Sequence, residues 1–184
     1  MFFSGDTMNG LYFVAGAYGV GKSTLCKKIS SVLNIPFYSS GDLISNVNGE
    51  SYGSNKTVKD KTQNQNILVS AINQLYLRCP TMLLAGHFCI FDKNIKVDVL
   101  PEDVFSQLKI IKIILLEADE ETIVNNLAKR DNKFYLKEQI VELQSTERSQ
   151  ALKIASELEI PIVIHRMKFD DCDIDEILIK IKEG

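Results

Sequence analysis

The sequence predicts a three-layer α/β sandwich whose five parallel strands lie in the order 2-3-1-4-5. Three observations carry that expectation. Short apolar runs recur at residues 11–15, 36–40, 82–85, 110–116 and 161–165. Between them lie stretches with apolar residues three and four apart, and strand alternating with helix argues for a parallel sheet covered on both faces. Finally, the first run leads directly into GAYGVGKST, residues 16–24, and from there into a helical pattern carrying Leu25, Ile29, Val32 and Leu33.

The loop is the most specific of the three. Gly16-Ala17-Tyr18-Gly19-Val20-Gly21-Lys22-Ser23 has the spacing G-x-x-x-x-G-K-[ST], which is the phosphate-binding loop pattern. Its spelling follows from its chemistry. Several backbone N–H groups must turn inward toward phosphate oxygens, and glycines permit the angles without placing a side chain in the way. Lys22 adds a point charge for the β and γ phosphates. The Ser23 hydroxyl is left for Mg²⁺, with Thr24 beside it. A helix opening near Gly21 directs its positive end at the same oxygens. The expected ligands are therefore ATP and Mg²⁺. By itself such a loop does not say whether the terminal phosphate passes to water or to a second molecule.

Composition narrows the classes. The chain has 184 residues and a formal net charge of −3, the size of one domain. A slight acidic excess argues against a nucleic-acid partner. No apolar run reaches about 18 residues, so no membrane span is expected, and Phe2-Phe3 has neither the basic region nor the apolar length of a signal peptide. Cys26, Cys79, Cys89 and Cys172 stand apart. They form no C-x-x-C pair, read as core residues, and fit a reducing, cytoplasmic compartment.

Along the rest of the chain, residues 46–60 (NVNGESYGSNKTVKD) break the rhythm and read as a polar loop between two helices. Lys59 and Lys61 lie in or beside it, either as solvated surface or as ligands of an acceptor phosphate. A long helix is expected over 133–159, with Ile140, Leu143, Ala151, Ile154, Ala155 and Leu158 on one stripe. Glu147 falls on that stripe and Arg148 beside it. An inward carboxylate needs a partner: either a Lys or Arg in a plain salt bridge, or the phosphate pocket toward which the helix carries charge. His165 ends the last run, as a structural residue or near the adenine.

The second run ends in YSSGDLI, residues 38–44, and here the chain resembles the nucleoside monophosphate kinases, adenylate kinase in particular. LLAGHF (83–88), KIIKIILLEADEETIVNNLAKRD (109–131) and ERSQALKIASELEIPIVI (147–164) resemble the distal half of the archaeal-type adenylate kinases. The resemblance covers nearly the whole chain. It implies one P-loop kinase domain over residues 1–184, with an acceptor-binding insert at about 41–79 and a lid at about 128–136. It implies a transfer from ATP to a small acceptor, expected to be a nucleoside monophosphate. Lys22, Asp42, Arg130 and Arg148 would be catalytic, and Ser40, Gly41, Asp42 and His87 would bind the acceptor. His87 has a second reading, as an ordinary histidine closing a strand.

Three departures matter. Ala85 stands where the resembled enzymes carry an aspartate that orients the waters of Mg²⁺. Asn126 replaces the first of two lid arginines, leaving Arg130. Ser45 and Asn46 occupy the place of an acceptor-side arginine. Two other readings therefore stay open: an ATP-binding regulator or slow NTPase with a weakened magnesium site, and a kinase of a non-nucleotide small molecule.

Overall fold

The computed structural model describes residues 9–48, 61–131 and 134–182. Five strands form one parallel sheet: β1 (Gly10–Gly16), β2 (Phe37–Ser39), β3 (Thr81–Ala85), β6 (Ile110–Glu117) and β7 (Ile162–Arg166). Their spatial order is β2-β3-β1-β6-β7. Counted along the sheet strands alone, this is the expected 2-3-1-4-5. The numbering shifts because a short antiparallel hairpin, β4 (Cys89–Phe91) with β5 (Val97–Val99), intervenes.

The hairpin is the one addition to the strand set. Its strands are three residues each, too short to show alternation. The turn between them has a local cause. Asp92 Oδ1 accepts the N–H groups of Asn94 at 2.7 Å and Lys96 at 2.9 Å, and Ile95 takes a positive φ of 60°. An aspartate that folds the following backbone onto its own carboxylate is a turn former.

Among the described residues seven helices cover the sheet and its ends: α1 (Lys22–Leu33), α2 (Ser40–Asn48), α3 (Lys61–Tyr76), α4 (Asp103–Gln107), α5 (Glu120–Asp131), α6 (Lys137–Glu157) and α7 (Cys172–Lys182). Two boundaries differ from the sequence expectation. Ser40 opens α2 instead of ending a strand. The long helix starts at Lys137, after Leu136 in an extended conformation (φ −72°, ψ 147°). Of the expected polar loop 46–60, residues 46–48 belong to α2 and the remainder lies outside the described residues, as does Lys59. Among the described residues no helix is long and apolar enough to cross a membrane.

Successive residues of a strand point to opposite faces, and the two cores sort accordingly. Leu11, Phe13 and Ala15 of β1 pack with Leu68 and Ile72 of α3 and with Ala151 and Ile154 of α6. Val14, between them, packs on the other face with Leu25 and Ile29 of α1, Ile123 of α5 and Ile177 of α7. The helix α6 changes core along its length, since Ile140 and Leu143 belong to the second cluster and Ala151 to the first. Glu147 sits at the crossing.

All five strands run the same way, so their carboxyl ends share one edge. The register aligns Ser39 and Val14 with Ala85, Gly16 with Leu116, and Leu116 with His165. In open α/β sheets the crevice beyond that edge, where the winding reverses, is where ligands bind. Here the reversal falls between β1 and β3.

Candidate functional site

The phosphate-binding loop leaves β1 at that reversal. Gly19 (φ 77°) and Gly21 (φ 94°) adopt left-handed backbone angles, which a side chain makes costly. Gly21 caps α1 without any side-chain hydrogen bond, so the loop turns straight into the helix. Ala17 and Val20 are buried in the second core and anchor the loop. Tyr18, Gly19, Gly21, Lys22, Ser23 and Thr24 line a cavity of about 630 Å³, within the usual range for small-molecule sites. The remaining loop members, Gly16, Ala17 and Val20, do not line it.

Lys22 folds back on its own loop. Its Nζ donates to the carbonyls of Gly16 at 2.6 Å and Ala17 at 2.9 Å. Ser23 and Thr24 are exposed at the mouth of the cavity. An ammonium, two hydroxyls and a helix N-terminus fit a Mg²⁺-bound triphosphate, since magnesium takes one or two protein oxygens and otherwise phosphates and water. Ser23 would be the protein ligand. Ala85 presents only its methyl at the cavity wall, so β3 supplies no carboxylate there.

Glu147 is 1% exposed and meets the start of the phosphate loop, where the charge of Lys22 acts on it. Its carboxylate accepts the backbone N–H groups of Gly16 at 3.1 Å, Phe88 at 3.0 Å and Cys89 at 2.9 Å, and the Cys89 thiol at 3.1 Å. One side chain thus ties the start of the phosphate loop to the segment following β3. Burial pushes the Glu147 carboxyl upward, against the charge of Lys22 and the donors just named. Burial and the neighbouring Glu147 push the Cys89 thiol up as well. Burial alone pushes Cys26 up to about 12 against the charge of Lys22. Neither thiol is primed as a nucleophile.

The two lid-side positions behave differently. Asn126 Nδ2 donates to the Gly19 carbonyl at 3.0 Å, so the residue that departs from the resembled pattern braces α5 against the phosphate loop. Arg130, one helical turn on, lines the cavity. Arg148 does not. Its Nη1 pairs with both carboxylate oxygens of Glu117 at 2.8 Å, because α6 lays that side chain along the end of β6. Asp42 is likewise set apart: it lies exposed in the first turn of α2 and is not a lining residue, although Ser40 and Gly41 are.

His87 lines the cavity with its ring 4.4 Å from that of Tyr18. Gly86 lets this segment cross close to the core, where a Cβ would stand 2.7 Å from the Phe13 ring. A stack continues from Tyr18 to Phe91 of the hairpin (6.1 Å) and on to Tyr135 (5.3 Å).

Two groups of lining residues were not anticipated. Asn64 and Gln65 of α3 are buried, at 8% and 6% exposure, and line the cavity. Their signal was present in the sequence, because they extend the Leu68–Ile72 stripe back by one turn. Met167, Phe169 and Asp173 line the opposite end, after β7. Asp173 holds that segment by accepting the N–H groups of Lys168 at 2.9 Å and Phe169 at 2.7 Å and by pairing with His165 at 2.8 Å. Burial works to raise the Asp173 carboxyl, but these donors outweigh it and hold it below the usual range. This gives His165 its structural role.

The same fold occurs in solved kinases of low sequence identity. A shikimate kinase from Acinetobacter baumannii in complex with shikimate superposes with a TM-score of 0.63 at 15% identity, covering 95% of this chain and 93% of that one. A shikimate kinase from Bacteroides thetaiotaomicron gives 0.60 at 14%, covering 95% and 96%. A gluconokinase from Sinorhizobium meliloti gives 0.58 at 13%, covering 96% and 93%. No curated protein matches the sequence. Residues 15–144, more than half of the chain, match the family model described as AAA domain; the chain belongs to that family and has the α/β fold of the P-loop kinases.

Proposed function

We propose that the chain is an ATP-dependent phosphotransferase that passes the γ-phosphate to a small molecule. The observation that carries this reading is the continuity of one cavity between two kinds of wall. The phosphate loop and the start of α1 border one end, and Ser40, Gly41, Asn64 and Gln65 of α2 and α3 border the other. An enzyme that only hydrolyses ATP has no use for the second wall.

In this reading Lys22 leaves the carbonyls of Gly16 and Ala17 to meet the β and γ phosphates. Ser23 holds Mg²⁺, whose charge offsets that of the transferring group. Phe169 and Met167 face the nucleobase. Arg130 closes on the moving phosphoryl, and His87 meets the acceptor. Catalysis of this kind is mainly positioning and charge neutralisation. Asp42 and Arg148 belong to the proposal only as groups that closure of α2, or release from Glu117, would bring in. Residues 41–79 form the acceptor-binding insert and 128–136 the lid of a single domain.

The sequence resemblance favours a nucleoside monophosphate as acceptor. The fold shared with shikimate kinases and a gluconokinase favours the alternative of a non-nucleotide acceptor. A coupled ADP-release assay with ATP and Mg²⁺, run with and without a panel of acceptors, tests the reading. Acceptor-dependent ADP release with a phosphorylated product is expected. Equal release with and without every acceptor would leave a slow NTPase or a nucleotide-binding regulator in its place.

A further inference from the structure

The carboxylate of Glu147 works on two segments at once. Its Oε1 accepts the N–H of Gly16 at 3.1 Å and that of Phe88 at 3.0 Å. Its Oε2 accepts the N–H groups of Phe88 at 3.0 Å and Cys89 at 2.9 Å, and the Cys89 thiol at 3.1 Å. Each of these contacts brings a hydrogen to the carboxylate. A primary amide or a protonated carboxyl in its place must turn a donor toward one of the two segments.

Both segments carry groups of the proposed transfer. The Gly16 carbonyl takes the Lys22 ammonium at 2.6 Å. A Cβ on Gly16 would stand 2.4 Å from the Leu116 carbonyl oxygen, so the loop starts hard against β6. His87 lies between two anchored neighbours: the Gly86 N–H donates to the Val14 carbonyl at 3.0 Å, and the Phe88 N–H to Glu147. Phe88 is in turn set edge-on against Phe13, with ring centres 5.1 Å apart. When Lys22 leaves Gly16 for the phosphates, the hold of Glu147 on Gly16 remains.

An anion buried beside the residue that opens a phosphate loop repels phosphates more strongly than it would in water, and it is costly to bury. Glu147 therefore adds nothing to nucleotide affinity. What it supplies is a fixed placement of one segment against the other. Given the phosphotransferase reading, we propose that Glu147 is a positioning residue of the transfer: its two-sided carboxylate holds the phosphate loop and the His87 segment in the register that the transition state requires.

Glu147→Gln, nearly isosteric, tests this, because it keeps one side of the joint and gives up the charge. Turnover is measured with ATP, Mg²⁺ and a panel of ribonucleoside 5′-monophosphates, sugars and sugar acids. Nucleotide affinity is measured by calorimetry with the β,γ-imido analogue of ATP. With the circular dichroism unchanged, turnover is expected to fall about 10²-fold, the cost of a misplacement of about 1 Å, while the analogue binds as tightly as to the native chain or more tightly. Native turnover, or equal losses of turnover and analogue affinity, overturns the proposal. Glu147→Asp keeps the charge but is one methylene too short to reach both segments. It should lose turnover by about tenfold or more, and native turnover in it overturns the proposal even where Glu147→Gln does not fold. Cys89→Ala disturbs the same core and leaves the three backbone donors in place. Its turnover should stay within about threefold of native; a loss as large as in Glu147→Gln would trace the effect to packing and overturn the proposal. Failure of the kinase reading is distinct: the native chain would consume ATP without phosphorylating any acceptor, and both readings would fall together.

Discussion

The two ends of the cavity are built by different means. The loop end draws six lining residues from nine consecutive positions, with one ammonium and two hydroxyls among them. The other end is assembled from β1, α2, α3 and α4, and presents apolar side chains with two amides. Phosphates are alike in every nucleoside triphosphate, so a local backbone cradle suffices for them. An acceptor is particular, and only a composite of distant side chains can match its shape. Glu147 joins the two, one carboxylate holding Gly16 on one side and Phe88 and Cys89 on the other.

Changes at the phosphate end should cost the most. Arg130→Ala is expected to lower turnover by about 10³-fold, the low end for an arginine that acts on a transferring phosphoryl. ATP affinity should change far less, since the contact forms in the transition state; steady-state kinetics beside nucleotide titration gives the split. Lys22→Ala should lower turnover by about 10²–10³-fold and weaken ATP as well. Its thermal unfolding should change less than its turnover, because the Nζ donates to carbonyls of its own loop. If Lys22→Ala bound ATP normally in calorimetry, the contrast between the two ends would collapse.

The joint between them should register as stability. Glu147→Ala strands three buried N–H groups, and at about 1 kcal/mol each the loss is about 3 kcal/mol. For a chain of this length that is roughly 10 °C in Tm, to be read by differential scanning calorimetry. Ala85→Asp should act in the opposite sense. A carboxylate at the end of β3, beside the magnesium position, is expected to raise turnover by about tenfold, or roughly 1.4 kcal/mol, with acceptor preference unchanged.

The smallest effect concerns pH. The folded Asp173 carboxyl lies below its unfolded value of about 3.9. Its contribution to stability is therefore fully present above that unfolded value and is lost as pH falls through the folded one. Thermal melts between about pH 5 and 2 should steepen in the native chain and flatten in Asp173→Asn. The Phe169 segment should loosen together with that loss, as fluorescence of a bound nucleotide analogue would report.

Much of this was legible in the residues. The five strands follow from apolar runs alternating with helical spacing, because each strand buried on both faces must be apolar throughout; their order and the central place of β1 follow from the resemblance to the P-loop kinases. The loop's chemistry follows from nine contiguous residues whose geometry is local. His87 and Arg130 line the cavity, the one just after β3 and the other a turn beyond Asn126. The hairpin was not legible, since three-residue strands carry no period. Nor were the backbone partners of Glu147, which are amides 131, 59 and 58 positions away in the chain.

What the sequence by itself determined is therefore the sheet, the phosphate loop and the chemistry of that loop, all governed by neighbours in the chain. The tertiary structure alone decided which side chains share the acceptor wall, that Arg148 lies along Glu117 instead of the cavity, and that Asn126 braces Gly19. The physical reason is range. Backbone angles and hydrogen-bond periodicity are set within a few residues, whereas a cavity wall exists only where packing brings Phe13, Gln65 and Phe105 together.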